Sequence, residues 1–80
     1  MNKNELECQL QQAGVCSAAY SLDGGLPNER YVLSREPNGR WAVYYSERGQ
    51  KTGLRDFDSE SSACHFFFEY ILQDSTTRQK

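Results

Sequence analysis

The sequence predicts an α+β fold: a small antiparallel sheet of three to four strands with an N-terminal and a C-terminal helix packed on one face, in the order α-β-β-β-α. Three observations lead there. Residues 30–57, RYVLSREPNGRWAVYYSERGQKTGLRDF, read as three successive strands joined by two tight turns. Leu6, Leu10 and Ala13 recur at helical spacing ahead of that stretch, and a second helical run follows it between Asp58 and Leu72. Eighty residues leave room for one domain and one small core, which helices and sheet must share. The domain is expected to occupy all of 1–80, ordered from about residue 4 to 73 with a frayed polar tail over 75–80.

The first helix, over Asn4 to Ala13, presents one narrow apolar stripe, and Gly14 supplies its stop. Cys8 falls off the stripe, at its edge or exposed. A helix this short needs the sheet to persist in water. From Val15 to Leu22 the alternation of Ala18, Tyr20 and Leu22 suits a short edge strand, although the intervening alanines and serines are indifferent to it. Asp23-Gly24-Gly25 marks a turn, and Leu26-Pro27-Asn28-Glu29 continues as irregular, exposed chain because Pro27 has no N–H to offer a ladder.

Pro37-Asn38-Gly39 fits a three-residue hairpin loop, a type I turn closed by glycine in the left-handed position of a G1 bulge. That loop sets Glu36 opposite Arg40, Leu33 opposite Val43 and Tyr31 opposite Tyr45. One face then collects Tyr31, Leu33, Trp41, Val43 and Tyr45, the other Val32, Ser34, Ala42 and Tyr44. A two-residue Asn38-Gly39 turn would mix polar and apolar residues on each face, so the three-residue loop is preferred. The Trp41 face is expected against the helices and the Tyr44 face toward solvent. Glu47-Arg48-Gly49-Gln50 turns the chain into a third strand, Lys51 to Phe57, whose Leu54 can reach Val43. Gly53 weakens this strand, marks a bulge, or allows a close approach of another backbone.

Asp58 or Ser59 can cap the last helix, and Asp58 and Glu60 lie where its dipole favours negative charge. On a wheel of about 100° per residue, Ala63, Cys64, Phe67, Tyr70 and Ile71 share one side, with Phe66 and Phe68 at opposite edges of the arc. Either the first helix shields part of this arc, or a phenylalanine is left exposed for a partner.

Composition narrows the function classes. Hydrophobic residues at 38% and charged residues at 25% suit a folded polar domain. Nine basic against eleven acidic residues give a net charge of −2, which disfavours a general polyanion binder and suits a basic partner. The helix-strand order is similar to that of double-stranded-RNA-binding domains, but Asp58 and Glu60 stand where such a domain needs basic residues against phosphate. The three cysteines, Cys8, Cys16 and Cys64, are odd in number and lack C-x-x-C spacing, so neither a disulfide framework nor a zinc site is implied and a reducing compartment is expected. Without a leader-like or membrane-spanning apolar run, the cytoplasm is the default expectation.

A lone histidine, His65, leaves no second imidazole for a metal cluster or catalytic set and pairs naturally with Glu69 on a solvated helix face. Cys64 reads as a small core residue, Cys16 as a loop thiol with nothing to activate it. Asp23-Gly24-Gly25 lacks the spaced carboxylates of a calcium loop and the Lys-Ser/Thr of a phosphate loop. No cofactor and no enzymatic activity are indicated. Tyr44-Tyr45-Ser46-Glu47-Arg48-Gly49 gathers aromatics, an acid and an arginine at one hairpin end, residue types that anchor interfaces as readily as they serve a core and a solvated turn.

The runs GGLPNERYVL, W-x-V-Y-Y-S-E-R-G and F-D-S-E-x-x-A-C together resemble a family of small bacterial immunity proteins from polymorphic-toxin and contact-dependent growth-inhibition systems. The resemblance extends from Gly24 to about Leu72, and YYSERG is its most specific part. The chain departs from it at Ser61-Ser62, where acidic residues are expected. The resemblance implies a non-enzymatic cytoplasmic antidote that binds the C-terminal domain of a cognate toxin, such as a nuclease, and blocks its active site or substrate route. On that reading Glu29, Glu36, Glu47 and Asp58 complement a basic toxin face, while Tyr44, Arg48 and an exposed phenylalanine such as Phe68 act as anchors. Nucleic acid and membrane are not expected partners. The competing reading is a small cytosolic adaptor or regulatory module for a partner other than a toxin.

Overall fold

The computed structural model describes residues 1–25 and 27–74. Along the chain lie α1 (Lys3–Gln12), a 3-10 turn (Ser17–Ala19), β1 (Tyr20–Ser21), β2 (Arg30–Arg35), β3 (Trp41–Glu47), β4 (Gln50–Phe57) and α2 (Glu60–Leu72). The strands make one sheet in the order β1-β2-β3-β4, with both helices on one face, as an α+β domain. Leu26 and the tail expected over 75–80 lie outside the described residues.

α1 begins with a capping box that the apolar stripe alone does not reveal. Asn2 Oδ1 accepts the Glu5 amide at 2.8 Å, and Glu5 Oε1 accepts the Asn2 amide at 3.1 Å, so two otherwise orphaned donors are satisfied reciprocally. Leu6 and Leu10 are fully buried, but Ala13 stays exposed and Val15, beyond Gly14 at φ +80°, takes the next place in the core. Ser59 caps α2 by accepting the Ser62 amide at 3.2 Å. Ala63, Cys64, Phe67 and Ile71 then fill the space between the sheet and α1.

The two helices meet at their N-termini. Glu60 accepts the Lys3 amide at 2.8 Å, which places one carboxylate between two positive helix ends. α1 thus shields part of the wide apolar arc of α2, and Phe66, Phe68 and Tyr70 finish half-buried against the core.

The first hairpin has the expected register: Tyr31 opposes Tyr45, Leu33 opposes Val43 and Arg35 opposes Trp41. The Glu36 amide donates to the Arg40 carbonyl at 2.7 Å, the Gly39 amide to the Glu36 carbonyl at 3.0 Å, and Gly39 has φ +85°, as a type I turn with a G1 bulge requires. Between β3 and β4 the register shifts. Val43 opposes Arg55 while Tyr45 opposes Thr52, so two β4 residues, Gly53 and Leu54, answer to Tyr44 alone. Gly53 sits at φ +67°, and a Cβ there would come within 3.2 Å of the Tyr70 hydroxyl. The bulge is therefore present, whereas the group close to Gly53 is the Tyr70 side chain and not another backbone. The bulge also corrects the expected contact between Leu54 and Val43: Arg55 takes that place, and Leu54 is 52% exposed.

A second correction concerns the sheet's far face. β1 is a strand, as the alternation of Tyr20 and Leu22 suggests, but it pairs parallel to β2, with Tyr20 opposite Tyr31, so the sheet is mixed rather than all antiparallel. A parallel neighbour obliges the chain to return to the start of β2. It does so in the eight residues between Ser21 and Arg30, short because β1 itself is only two residues long. Gly24 lies against Ser34, and the Tyr44 hydroxyl donates to the Gly25 carbonyl at 2.7 Å. Val32, Ala42 and Tyr44 thereby form a second small core, with Tyr44 1% exposed and Lys51 capping its ring at 4.8 Å. The Tyr44 face is covered, not solvated.

Two outcomes test this architecture. Gly24→Ala places a Cβ 2.9 Å from Ser34 Oγ at φ +73°, so it is expected to cost roughly 1–2 kcal/mol in urea unfolding, part of which returns in the Gly24→Ala/Ser34→Ala double variant. No recovery in the double variant would mean that the return segment does not press on β2. Burial, aided by Glu60, pushes the Cys64 thiol up to about 11, and burial likewise raises the phenols of Tyr20, Tyr31 and Tyr44. The folded chain holds protons that the unfolded chain releases first. The stability Cys64 lends is intact below the ordinary thiol value of 9.0 and is lost as pH rises through about 11, and the raised phenols extend that loss to higher pH. Urea midpoints are expected to fall across that window; a flat profile would contradict the burial of these groups.

Candidate partner-binding surface

At the end of the sheet where β3 passes into β4, two residues make the turn. Glu47 opposes Gln50, and Arg48 and Gly49 have φ +52° and +78°, the paired left-handed conformation of a type I′ hairpin. Glycine fills the second position at no cost. Arginine in the first position is uncommon, because an L side chain there crowds the following carbonyl. Glu29, at φ +56°, is the other non-glycine residue in this region among the described residues, and it directly precedes β2 on the neighbouring loop. Asn28 joins the two loops: its Oδ1 accepts the Arg48 amide at 3.2 Å.

Behind this junction stands a row of aromatics. Tyr45 packs edge-on to Tyr31 with centroids 4.9 Å apart, and Tyr31 packs edge-on to Tyr70 at 5.1 Å. The Tyr31 hydroxyl donates to Asp74 Oδ2 at 3.0 Å. Burial first, then the charges of Glu47, Glu29 and Asp74, raises the Tyr45 phenol above its ordinary value. Three carboxylates thus act on one phenol, and the surface combines acidic groups, a tyrosine and an exposed arginine on a backbone held by the Asn28 bridge. A shallow depression of about 290 Å³ lies beside it, lined by Glu47, Arg48, Gln50 and Thr52.

The structure brings together only part of what the sequence suggests. Glu29, Glu47 and Arg48 converge at this end. Glu36 and Asp58 belong to the opposite end, beyond Arg35 and Phe57, separated by the length of β2, roughly 17–20 Å for six residues. Asp58 is already ion-paired with Arg40, with its side chain 86% exposed. Tyr44 lies beneath the return segment, where its ring cannot anchor a partner, and Phe68 is half-buried against the main core. Asn28, Tyr45 and Asp74 are additions. The Tyr31–Asp74 bond spans 43 residues, so no local pattern announces it.

Other chemistry-bearing groups are engaged or isolated. His65 and Glu69 face each other at 3.5 Å with side chains 70% and 66% exposed, the solvated pair their spacing suggests. Cys8 is exposed, Cys16 half-buried and Cys64 buried, all as free thiols. Among the described residues no three His, Cys, Asp or Glu side chains gather to hold a metal ion, and no helix is long and apolar enough to cross a membrane. A cleft of about 590 Å³ between the helix N-termini and Trp41 contains Lys3, Asp23 and Glu60, but Lys3 and Asp23 pair at 2.8 Å and Glu60 binds the Lys3 amide.

The strain at the turn is measurable. Arg48→Asn, which tolerates the left-handed position, is expected to raise unfolding stability by about 0.5–1 kcal/mol. A loss of stability would show that the Arg48 side chain supports the fold rather than straining it.

No family model, curated protein or solved structure matches this chain.

Proposed function

We propose that the chain is an immunity protein: it binds the C-terminal domain of a cognate bacterial toxin in the cytoplasm and neutralises it without catalysis, by covering the active site or the route to substrate. The observation that carries this reading is the pair of non-glycine residues, Glu29 and Arg48, held in left-handed backbone on adjoining loops and tied through Asn28. Strain of this kind costs about 1–3 kcal/mol per residue and clusters at sites where a preformed shape is needed. Glu47 and Arg48 come from YYSERG, the most specific part of the resemblance to immunity proteins, and Glu29 from GGLPNERYVL.

Mechanistically, Glu29, Glu47 and Asp74 supply an acidic field suited to the basic surface of a nuclease-type toxin. Such a field accelerates encounter and weakens with salt. Arg48 then offers a planar donor fork for a carboxylate or carbonyl of the toxin, and Tyr45 an aromatic edge close by. Because the loops are braced in the free protein, little ordering entropy remains to oppose binding.

The reading is tested by co-expressing the chain with the C-terminal domain encoded immediately upstream, scoring growth rescue and co-purification together. Rescue with a stable complex is expected. The Glu29→Lys/Glu47→Lys variant should keep its fold but associate about tenfold more slowly at low salt, with the difference shrinking as salt rises. An upstream product that is harmless, or one that is toxic yet neither bound nor neutralised, would favour an adaptor for another protein.

A further inference from the structure

β4 is the last strand of the sheet, and among the described residues no strand covers its outer edge. It is eight residues long with seven of them exposed, whereas the opposite edge, β1, has only two residues. Long unpaired edges invite strand addition, and folded proteins guard them with charges and bulges. Here both are present, as Lys51, Arg55, Asp56 and the bulge at Gly53-Leu54. Their arrangement goes further than a guard requires.

In a regular strand, Lys51 and Asp56 would point to opposite faces, because side chains alternate. The extra residue of the bulge reverses that. Lys51 opposes Ser46 and Asp56 opposes Ala42, positions four apart on β3, so both project from the face that carries Tyr44. By the same count Gln50, Thr52, Arg55 and Phe57 all project toward the helix face. β4 is consequently a pseudo-palindrome about Gly53-Leu54. Laid antiparallel on a second β4, it sets Lys51 against Asp56, Thr52 against Arg55 and Gln50 against Phe57, each pair on a shared face. A shift by one residue either way puts members of facing pairs on opposite faces, and centring the axis on Arg55 would oppose two arginines.

We propose that the chain forms a two-fold dimer by antiparallel pairing of β4 with β4 of a second copy, in the register fixed by two Lys51–Asp56 ion pairs. Leu54, 52% exposed, lies at the axis, and the adjacent groove of about 450 Å³, where Phe57 and Phe66 stand beside Arg55 and Asp56, becomes part of the joint. Isologous contacts of this kind close on themselves and leave no β4 edge free for further addition. The pairing also carries the Arg48 turn of one copy toward the Asp58 end of the other. Acidic residues that one chain keeps at opposite ends of its sheet are thereby brought side by side.

Sedimentation velocity over a concentration series tests the proposal, with circular dichroism to verify that each variant folds. The wild-type chain is expected to reach twice its 9.2 kDa mass. Lys51→Asp and Asp56→Lys each oppose like charges twice and should weaken the dimer about tenfold or more; the double exchange Lys51→Asp/Asp56→Lys should restore it. A monomeric wild type overturns the proposal. So does a dimer indifferent to either single reversal, or a double exchange that fails to rescue.

Discussion

The parallel pairing of β1 with β2 is the constraint on which the rest of the structure turns. An antiparallel β1 would need only a hairpin loop, and the far face of the sheet would stay open. A parallel β1 sends the chain back to the start of β2, and the segment carrying Gly24 and Gly25 closes over Ser34 and Tyr44 on the way. The result is a domain with two cores on either side of one sheet: a larger one beneath the helices and a smaller one of Val32, Ala42 and Tyr44. For a chain this short, using both faces raises the fraction of apolar surface removed from water.

The same return path determines where the candidate surface lies. It delivers Asn28 and Glu29 to the start of β2, beside the β3–β4 turn, and lets one side-chain oxygen accept the Arg48 amide. Backbone strain at Glu29 and Arg48 persists because strands on both sides over-determine the two loops. The acidic groups around Tyr45 then sit on a fixed frame. Glu60, by contrast, spends its charge internally, between the N-termini of α1 and α2. Acidity in this chain therefore divides between holding the helices together and shaping a surface.

Much of the fold was legible in local pattern. Pro37-Asn38-Gly39 encodes the hairpin register through the backbone angles that proline and glycine allow, and Ser59 with the apolar arc of α2 encodes that helix and its docking face. What could not be read depends on pairings distant in sequence or on one residue of phase. Tyr44 alternates as a solvated strand position and is buried only because a chain segment some twenty residues away crosses it. Leu54 alternates as a core position and is exposed because Gly53 inserts a bulge. For the site, Glu47 and Arg48 were visible as a cluster and Glu29 as an isolated acid. Their convergence, and the roles of Asn28 and Asp74, follow from tertiary structure alone.

The junction of Asn28-Glu29 with the Glu47–Gln50 turn is the preformed surface proposed to receive a toxin domain. Amide hydrogen exchange, compared between the free chain and its complex with the upstream-encoded domain, addresses it most directly. Slow exchange is expected at the Arg48 amide already in the free chain, with new protection on binding concentrated at residues 28–30 and 47–50. Rapid exchange at Arg48 in the free chain, or protection on binding confined to the α2 face, would contradict it.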